Sequence, residues 1–310
     1  MANSARNSGA SPIQTRWAEA IHSRGPGPAA WLILSRVHEA RGRFEEAEQA
    51  AIRLIELRPE SWTGYDRLGV LHYHAGHYAR AIEAWEEATR LAPDSATVFA
   101  SIGAAQLRLG RLEEALASYQ RSVKIRPVAV AYVGLGTAQF LLGLRAESIA
   151  TFERAVALSP RDPRGWANLG DAQRWTPGHE GKAAASFDRA IALVREELEA
   201  NPGVAGDWGQ LAKWLAKRGQ IAASLDAIRR ALELAPGNVD CMARAITVYE
   251  LAGDRPRALA CLKTALDSGY GRLEIERDPE LEDLRRDPEA QRLFTDDGRN
   301  RSGKGRSQAA

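Results

Sequence analysis

Cysteine is scarce: two in 310 residues cannot build a disulfide framework, and Cys241 and Cys261 stand at no spacing used for zinc. Thiols this few suit a reducing compartment, so a cytoplasmic protein is expected. Long hydrophobic runs are missing too. Nowhere are there about 18 consecutive apolar residues, so no membrane-crossing helix is expected. The opening MANSARNSGASP has no apolar run, which argues against a secretory leader. Nor is there an excess of one charge, since 42 Lys and Arg against 40 Asp and Glu leave a formal net charge of +2. Residues 298–310 carry Arg299, Arg301, Lys304 and Arg306 and no acid, so the rest of the chain is slightly acidic. A broad electrostatic surface for nucleic acid is therefore not expected.

What the chain has in abundance is Ala, Leu, Arg and Glu, all strong helix formers, and a repeat. Large apolar residues open a pattern at Trp31, Tyr65, Phe99, Tyr132, Trp166, Trp208 and Met242, at spacings of 34, 34, 33, 34, 42 and 34. Three residues after most openers comes Leu or Ile and then glycine, as in Leu68-Gly69, Ile102-Gly103, Leu135-Gly136 and Leu169-Gly170. Later an alanine recurs at Ala47, Ala81, Ala115, Ala183 and Ala258, with a bulky residue four positions on at Trp85, Tyr119, Phe152, Phe187 and Leu262. Positions i, i+3 and i+4 share a helix face, so each unit reads as two helices. A glycine inside a helix costs about 1 kcal/mol against alanine, and close approach of the second helix gives the reason for it. The stretch WANLGDAQRW at 166–175 is thus scaffold rather than an active-site loop.

Spacing and residue types recurring together over residues 28–270 closely resemble the tetratricopeptide repeat family. The resemblance implies an all-α superhelical solenoid of seven helix-turn-helix repeats whose first helices line a concave groove. Four positions depart from the pattern: Ser35 and Ile246 replace glycine, and Ser148 and Ser224 replace alanine. Looser packing is expected in those repeats. The ending ERDPELEDLRRDPEAQRLF, together with WANLGDAQRWTPG, is similar to bacterial repeat modules of Ser/Thr protein kinases and transcriptional regulators.

The expected organisation is a disordered start with an N-terminal cap helix over 1–27, and repeats one to five over 28–202. Repeats six and seven follow over 203–270, then a C-terminal helical cap over 271–295 and a basic disordered tail over 296–310. The longer fifth repeat extends its second helix, with Phe187, Ile191, Val194 and Leu198 keeping the apolar stripe. That extension is expected to protrude and to offset repeats six and seven.

Signals of chemistry are weak. Gly134-Leu135-Gly136-Thr137-Ala138 has a superficial likeness to a dinucleotide fingerprint but sits inside a repeat helix rather than after a strand. The tail GRNRSGKG lacks the Ser or Thr that holds magnesium in a phosphate loop, because Gly305 stands there. His72, His74 and His77 form the one histidine cluster, and a metal-dependent regulator or enzyme built on it is the alternative function. No catalytic residue and no cofactor are assigned.

The resemblance places a partner groove on the first helices. Arg164, Asp171 and Trp175 form a stripe in repeat five, with Arg174 beside it. Val133 and Phe140 match it in repeat four, Arg108 in repeat three, Tyr73 in repeat two, and Lys213 and Lys217 in repeat six. Chaperone-binding members of the family hold a terminal carboxylate with Lys and Asn, then Asn, then Lys and Arg. The matching positions here are Leu32 and Arg36, Arg67, and Thr97 and Ser101, so that clamp is absent in this register. The function expected is a non-catalytic scaffold for a protein or peptide segment of apolar and partly acidic character, with no membrane partner and no nucleic acid.

Overall fold

The computed structural model describes residues 26–268 and 272–295; the cap helix expected over 15–22 and the basic tail over 296–310 lie outside them. All regular structure among the described residues is helical. The chain divides into two compact units, one ending at Arg126 and one beginning at Pro127.

The first compact unit holds three hairpins: α1 (Pro28–Ala40) with α2 (Phe44–Leu57), α3 (Trp62–His74) with α4 (Tyr78–Leu91), and α5 (Ala96–Arg108) with α6 (Leu112–Ile125). The second holds four. These are α7 (Ala129–Leu141) with α8 (Arg145–Leu158), α9 (Pro163–Arg174) with α10 (Glu180–Ala200), α11 (Ala205–Lys217) with α12 (Ile221–Leu234), and α13 (Val239–Leu251) with α14 (Arg255–Asp267). Short elements close it: α15 (Arg272–Arg277), a 3-10 turn (Pro279–Leu281), α16 (Glu282–Arg286) and α17 over 288–295. Turns within the hairpins pass through a glycine of positive φ, 77° at both Gly76 and Gly110, a conformation other residues adopt only at a cost.

Glycine sets how closely the two helices of a hairpin approach. A Cβ on Gly69 would stand 2.5 Å from Trp85 Nε1, and one on Gly136 2.7 Å from Phe152 Cε1. The rings lie flat against bare backbone, so the bulky residue of the second helix fills the space the glycine leaves open. Trp85 also donates its indole N–H to Asp66 over 3.1 Å, which satisfies a polar group that its burial would otherwise strand.

The departures from the repeat pattern pack tightly, contrary to the looser packing expected from sequence. Ser35, Ser148, Ser224 and Ile246 are all fully buried. The serine hydroxyls find carbonyls: Ser35 Oγ donates to Ala47 O at 2.9 Å, Ser148 Oγ to Arg145 O at 2.7 Å and Ser224 Oγ to Ile221 O at 2.9 Å. Ser35 Oγ also accepts from buried Arg67 at 2.8 Å, and the guanidinium pairs with Glu39 at 2.6 Å. Phe187, Ile191, Val194 and Leu198 of the 21-residue α10 are buried as the stripe requires. One core runs from Ala167 through Phe187, Leu215, Ile228 and Leu262 to Phe294, so the long helix shares its burial with repeats six and seven.

The C-terminal segment belongs to that core, since Ile275, Leu281, Leu284, Ala290 and Phe294 are buried in it. It also brings acids onto cations of the first helices. Asp278 accepts from Lys213 Nζ at 2.9 Å and from Thr247 Oγ1 at 3.3 Å. Glu280, with a side chain only 4% exposed, meets Arg174 at 3.4 Å, and Lys217 pairs with Asp171. Burial opposes ionisation of Asp278, but Lys213 and Lys217 outweigh it and hold this carboxyl well below the usual carboxylate range. For Glu280 burial wins over Lys217 and Arg174, and its carboxyl is pushed up.

Three predictions arise from this packing. Gly136→Ala should lower stability in urea by about 1–3 kcal/mol, because Phe152 must be displaced, whereas Gly181→Ala, with nothing within 4 Å of the new methyl, should be neutral or stabilising. In the cap, a depressed folded-state pKa means that Asp278 contributes stability at neutral pH and loses it as the solution is acidified. Asp278→Asn should therefore destabilise at pH 7, with the gap to wild type narrowing below about pH 4. Glu280 has the opposite sign, its raised pKa making the ionised form a cost, so Glu280→Gln should leave the urea midpoint at pH 7 unchanged or raised.

Candidate functional site

In the second compact unit the first helices α7, α9, α11 and α13 converge on a cavity of about 320 Å³. Its lining follows from the register. The openers Tyr132, Trp166, Trp208 and Met242 turn toward the packed face and are half-buried, so residues shortly after them emerge on the adjoining face. One position on stand Val133 and Ala167; two positions on, Asn168, Gln210 and Arg244; five positions on, Asp171 and Lys213. Val130, 70% exposed, and Trp214 complete the apolar part. A second cavity of about 280 Å³ adjoins it, sharing Lys213 and Arg244 and adding Thr247, Ile275, Asp278 and Leu281.

Most charges here are matched within the chain. Arg164 is held by Asp162 through two 3.0 Å contacts, and the hydrogen bonds hold the Asp162 carboxyl below its usual range against the effect of burial. Lys213 faces Asp278, and Lys217 faces Asp171. Arg174 donates to Lys217 O at 2.7 Å and pairs with Glu280. Among the described residues Arg244 makes no ion pair, and the amides of Asn168 and Gln210 make no hydrogen bond.

The structure brings together four residues of the expected groove, Val133, Arg164, Asp171 and Lys213. Arg174 and Lys217 lie nearby but are engaged with the cap, and Lys217 is buried. Phe140 and Trp175 do not line the cavity. Phe140 packs with Phe152 and Leu169 and carries Arg145 over its ring at 5.1 Å. Trp175 is half-buried, and its indole N–H has no hydrogen-bond partner. Tyr73 and Arg108 belong to the first compact unit, where Tyr73 meets Tyr78 edge-on at 5.3 Å and Arg108 is exposed. Missed from sequence were Asn168, Gln210, Trp214 and Arg244. The first, second and fourth share one register position, two residues after the opener, and that shared position was the available signal.

Two histidines of the first compact unit, His72 and His74, are directed to separate glutamates. His74 Nδ1 lies 2.6 Å from Glu39, and His72 Nε2 lies 3.7 Å from Glu48. Burial pushes the His72 pKa down. No group of three His, Cys, Asp or Glu side chains is placed to share an ion among the described residues. His74 instead joins Leu32, Arg36, Thr63, Asp66 and Val70 around a cavity of about 360 Å³. Burial raises the Asp66 pKa there, against the Trp85 hydrogen bond.

Models of the tetratricopeptide repeat match residues 14–61, 67–130 and 129–162. No curated protein matches the chain. Among solved structures, the Cut9-Hcn1 hetero-tetramer of the APC/C is similar at a TM-score of 0.58 and 15% identity, over 90% of this chain and 51% of that one. The present chain thus spans about half of that protein's length. A tetratricopeptide repeat protein from Parabacteroides merdae gives a TM-score of 0.55 at 15% identity, covering 80% of this chain and 96% of that one. A MamA RS-1 double mutant gives 0.50 at 23% identity, covering 55% and 96%. The chain thus carries tetratricopeptide repeats between residues 14 and 162, and helical hairpins at the same spacing continue beyond them.

Proposed function

We propose that the chain is a non-catalytic scaffold that holds an extended segment of a partner protein in the cavity on α7, α9, α11 and α13. The tetratricopeptide fold is generally a protein–protein interaction scaffold and is typically non-enzymatic. The observation that carries the reading is the lining itself: apolar Val130, Val133 and Trp214 stand beside the unpaired amides of Asn168 and Gln210. Apolar surface with a few convergent polar groups is the ordinary composition of a binding site. Amides able both to donate and to accept suit the alternating N–H and C=O groups of a peptide backbone. A partner of apolar and partly acidic character suits this lining. No described helix is long and apolar enough to cross a membrane, and both cysteines are free, so we place the scaffold in a reducing cytoplasm.

The test is a quantitative pull-down comparing wild type with a Val130→Asp/Gln210→Ala variant of the full chain. Both changes fall on side chains outside the buried core, so the variant should melt with wild type. Partners of the cavity should drop by about tenfold or more on the variant. The same partners retained at wild-type yield would move recognition to another surface and end this reading.

A further inference from the structure

Arg244 stands apart from the other cations around the cavity. Arg164, Lys213, Lys217 and Arg174 each meet an acid of the same chain, whereas Arg244 makes no ion pair among the described residues. Its polar neighbours are the thiol of Cys241, one helical turn back on α13, and Asp240, which lines the second cavity with it without forming an ion pair. Yet the side chain is half-buried and its path is defined. It crosses α11 at Gly209, where a methyl group would stand 3.2 Å from Arg244 Cδ and 3.7 Å from Nη1. The missing side chain at 209 is the seat of this arginine. The guanidinium is therefore laid against a helix and contributes to the lining of both adjoining cavities. A half-buried guanidinium with donors left over is suited to receive a carboxylate through two parallel hydrogen bonds.

The cap supplies a neighbouring example of the same chemistry. In the adjoining cavity Asp278 meets Lys213 and Thr247 while Leu281, three residues on, is buried. An acid followed by an apolar residue is thus already accommodated on this face. The cap is held on the unit, because Ile275, Leu281, Leu284 and Phe294 are buried in its core. Arg174, Lys213 and Lys217 are in consequence occupied, and Arg244 is the lining cation that makes no ion pair among the described residues. Asn168, Gln210 and Arg244 share one register position on α9, α11 and α13, so amide, amide and guanidinium succeed one another across three first helices.

We propose that Arg244 reads an acidic side chain of the partner segment, whose backbone meets Asn168 and Gln210 and whose apolar side chain lies on Val130 and Val133. This assignment rests on the scaffold reading above and adds to it the residue that sets specificity and the direction in which the segment lies. It also gives acid recognition to a residue of the seventh repeat, since Arg174, Lys213 and Lys217 already meet acids of the same chain.

The experiment uses the full chain and a set of synthetic peptides, each pairing one acidic with one bulky apolar residue at a different separation, titrated by fluorescence anisotropy. Every peptide has a counterpart with the acid replaced by its amide. For the tightest binder, the acid-to-amide change and Arg244→Gln should each weaken binding about tenfold or more, and the two together should do no more than either alone. Arg244→Lys should recover only part of the loss, because an ammonium lacks the two-pronged geometry. Additive losses, or a peptide indifferent to its acid, would overturn the role of Arg244 while the cavity stays the binding site, provided Val130→Asp still weakens the peptide. Should no peptide bind, or none respond to Val130→Asp, the scaffold reading of this cavity falls and the Arg244 assignment with it. The amide counterpart on wild-type protein keeps the test valid even if an Arg244 variant fails to fold.

Discussion

Where Gly69 faces Trp85 and Gly136 faces Phe152, two helices sit closer than any side chain would permit. That contact, repeated as Gly103 on Tyr119 and Gly170 on Phe187, locks the hairpins of repeats two to five. A ring pressed on bare backbone fixes the rotation of both helices, which decides which residues are buried and which emerge beside the opener. Repeating the contact at nearly constant spacing then stacks the leftover faces of successive first helices. The cavity of the second compact unit is lined from these faces, by residues one, two and five positions after the openers.

The cap acts on this face in a second way. A solenoid end exposes an apolar surface that must be covered, and the segment from 272 to 295 does so with Ile275, Leu284 and Phe294. In reaching the core it carries Asp278 and Glu280 over the first helices, where they neutralise cations of repeats five and six. The two acids respond oppositely. Asp278 gains a lysine at hydrogen-bond distance and stays ionised, while Glu280 is buried deeper with one carboxyl oxygen unpartnered. Closing the end of the array thereby changes the charge that any ligand of the groove would meet.

This explains how far the sequence could be read. The hairpins were legible because their signal is local and recurs; Trp31, Tyr65 and Phe99 need no knowledge of the rest of the chain. Buried serines were misjudged as loose spots, since a hydroxyl that finds a carbonyl, as Ser35 finds Ala47, leaves no trace in spacing. Val133, Arg164, Asp171 and Lys213, expected on the groove from the family resemblance, line one cavity. Which cations remain open was beyond reach. Lys213 meets an acid 65 residues away and Arg174 one 106 residues away, and no local pattern reports such pairings. Phe140 and Trp175 lie outside this cavity, and an aromatic at a groove position can equally fold back onto its neighbours, as Phe140 does on the cluster that holds Phe152 and Leu169.

The central claim is that the C-terminal segment is part of the core of the second compact unit and permanently occupies the cations of repeats five and six. Native-state hydrogen exchange of the full chain, read peptide by peptide in mass spectrometry, tests it most directly. Amides of 275–286 should exchange as slowly as those of α11 and α13, in one cooperative block with them. Exchange there that is faster by orders of magnitude, while α11 and α13 stay protected, would show a cap that opens on its own and would contradict the account.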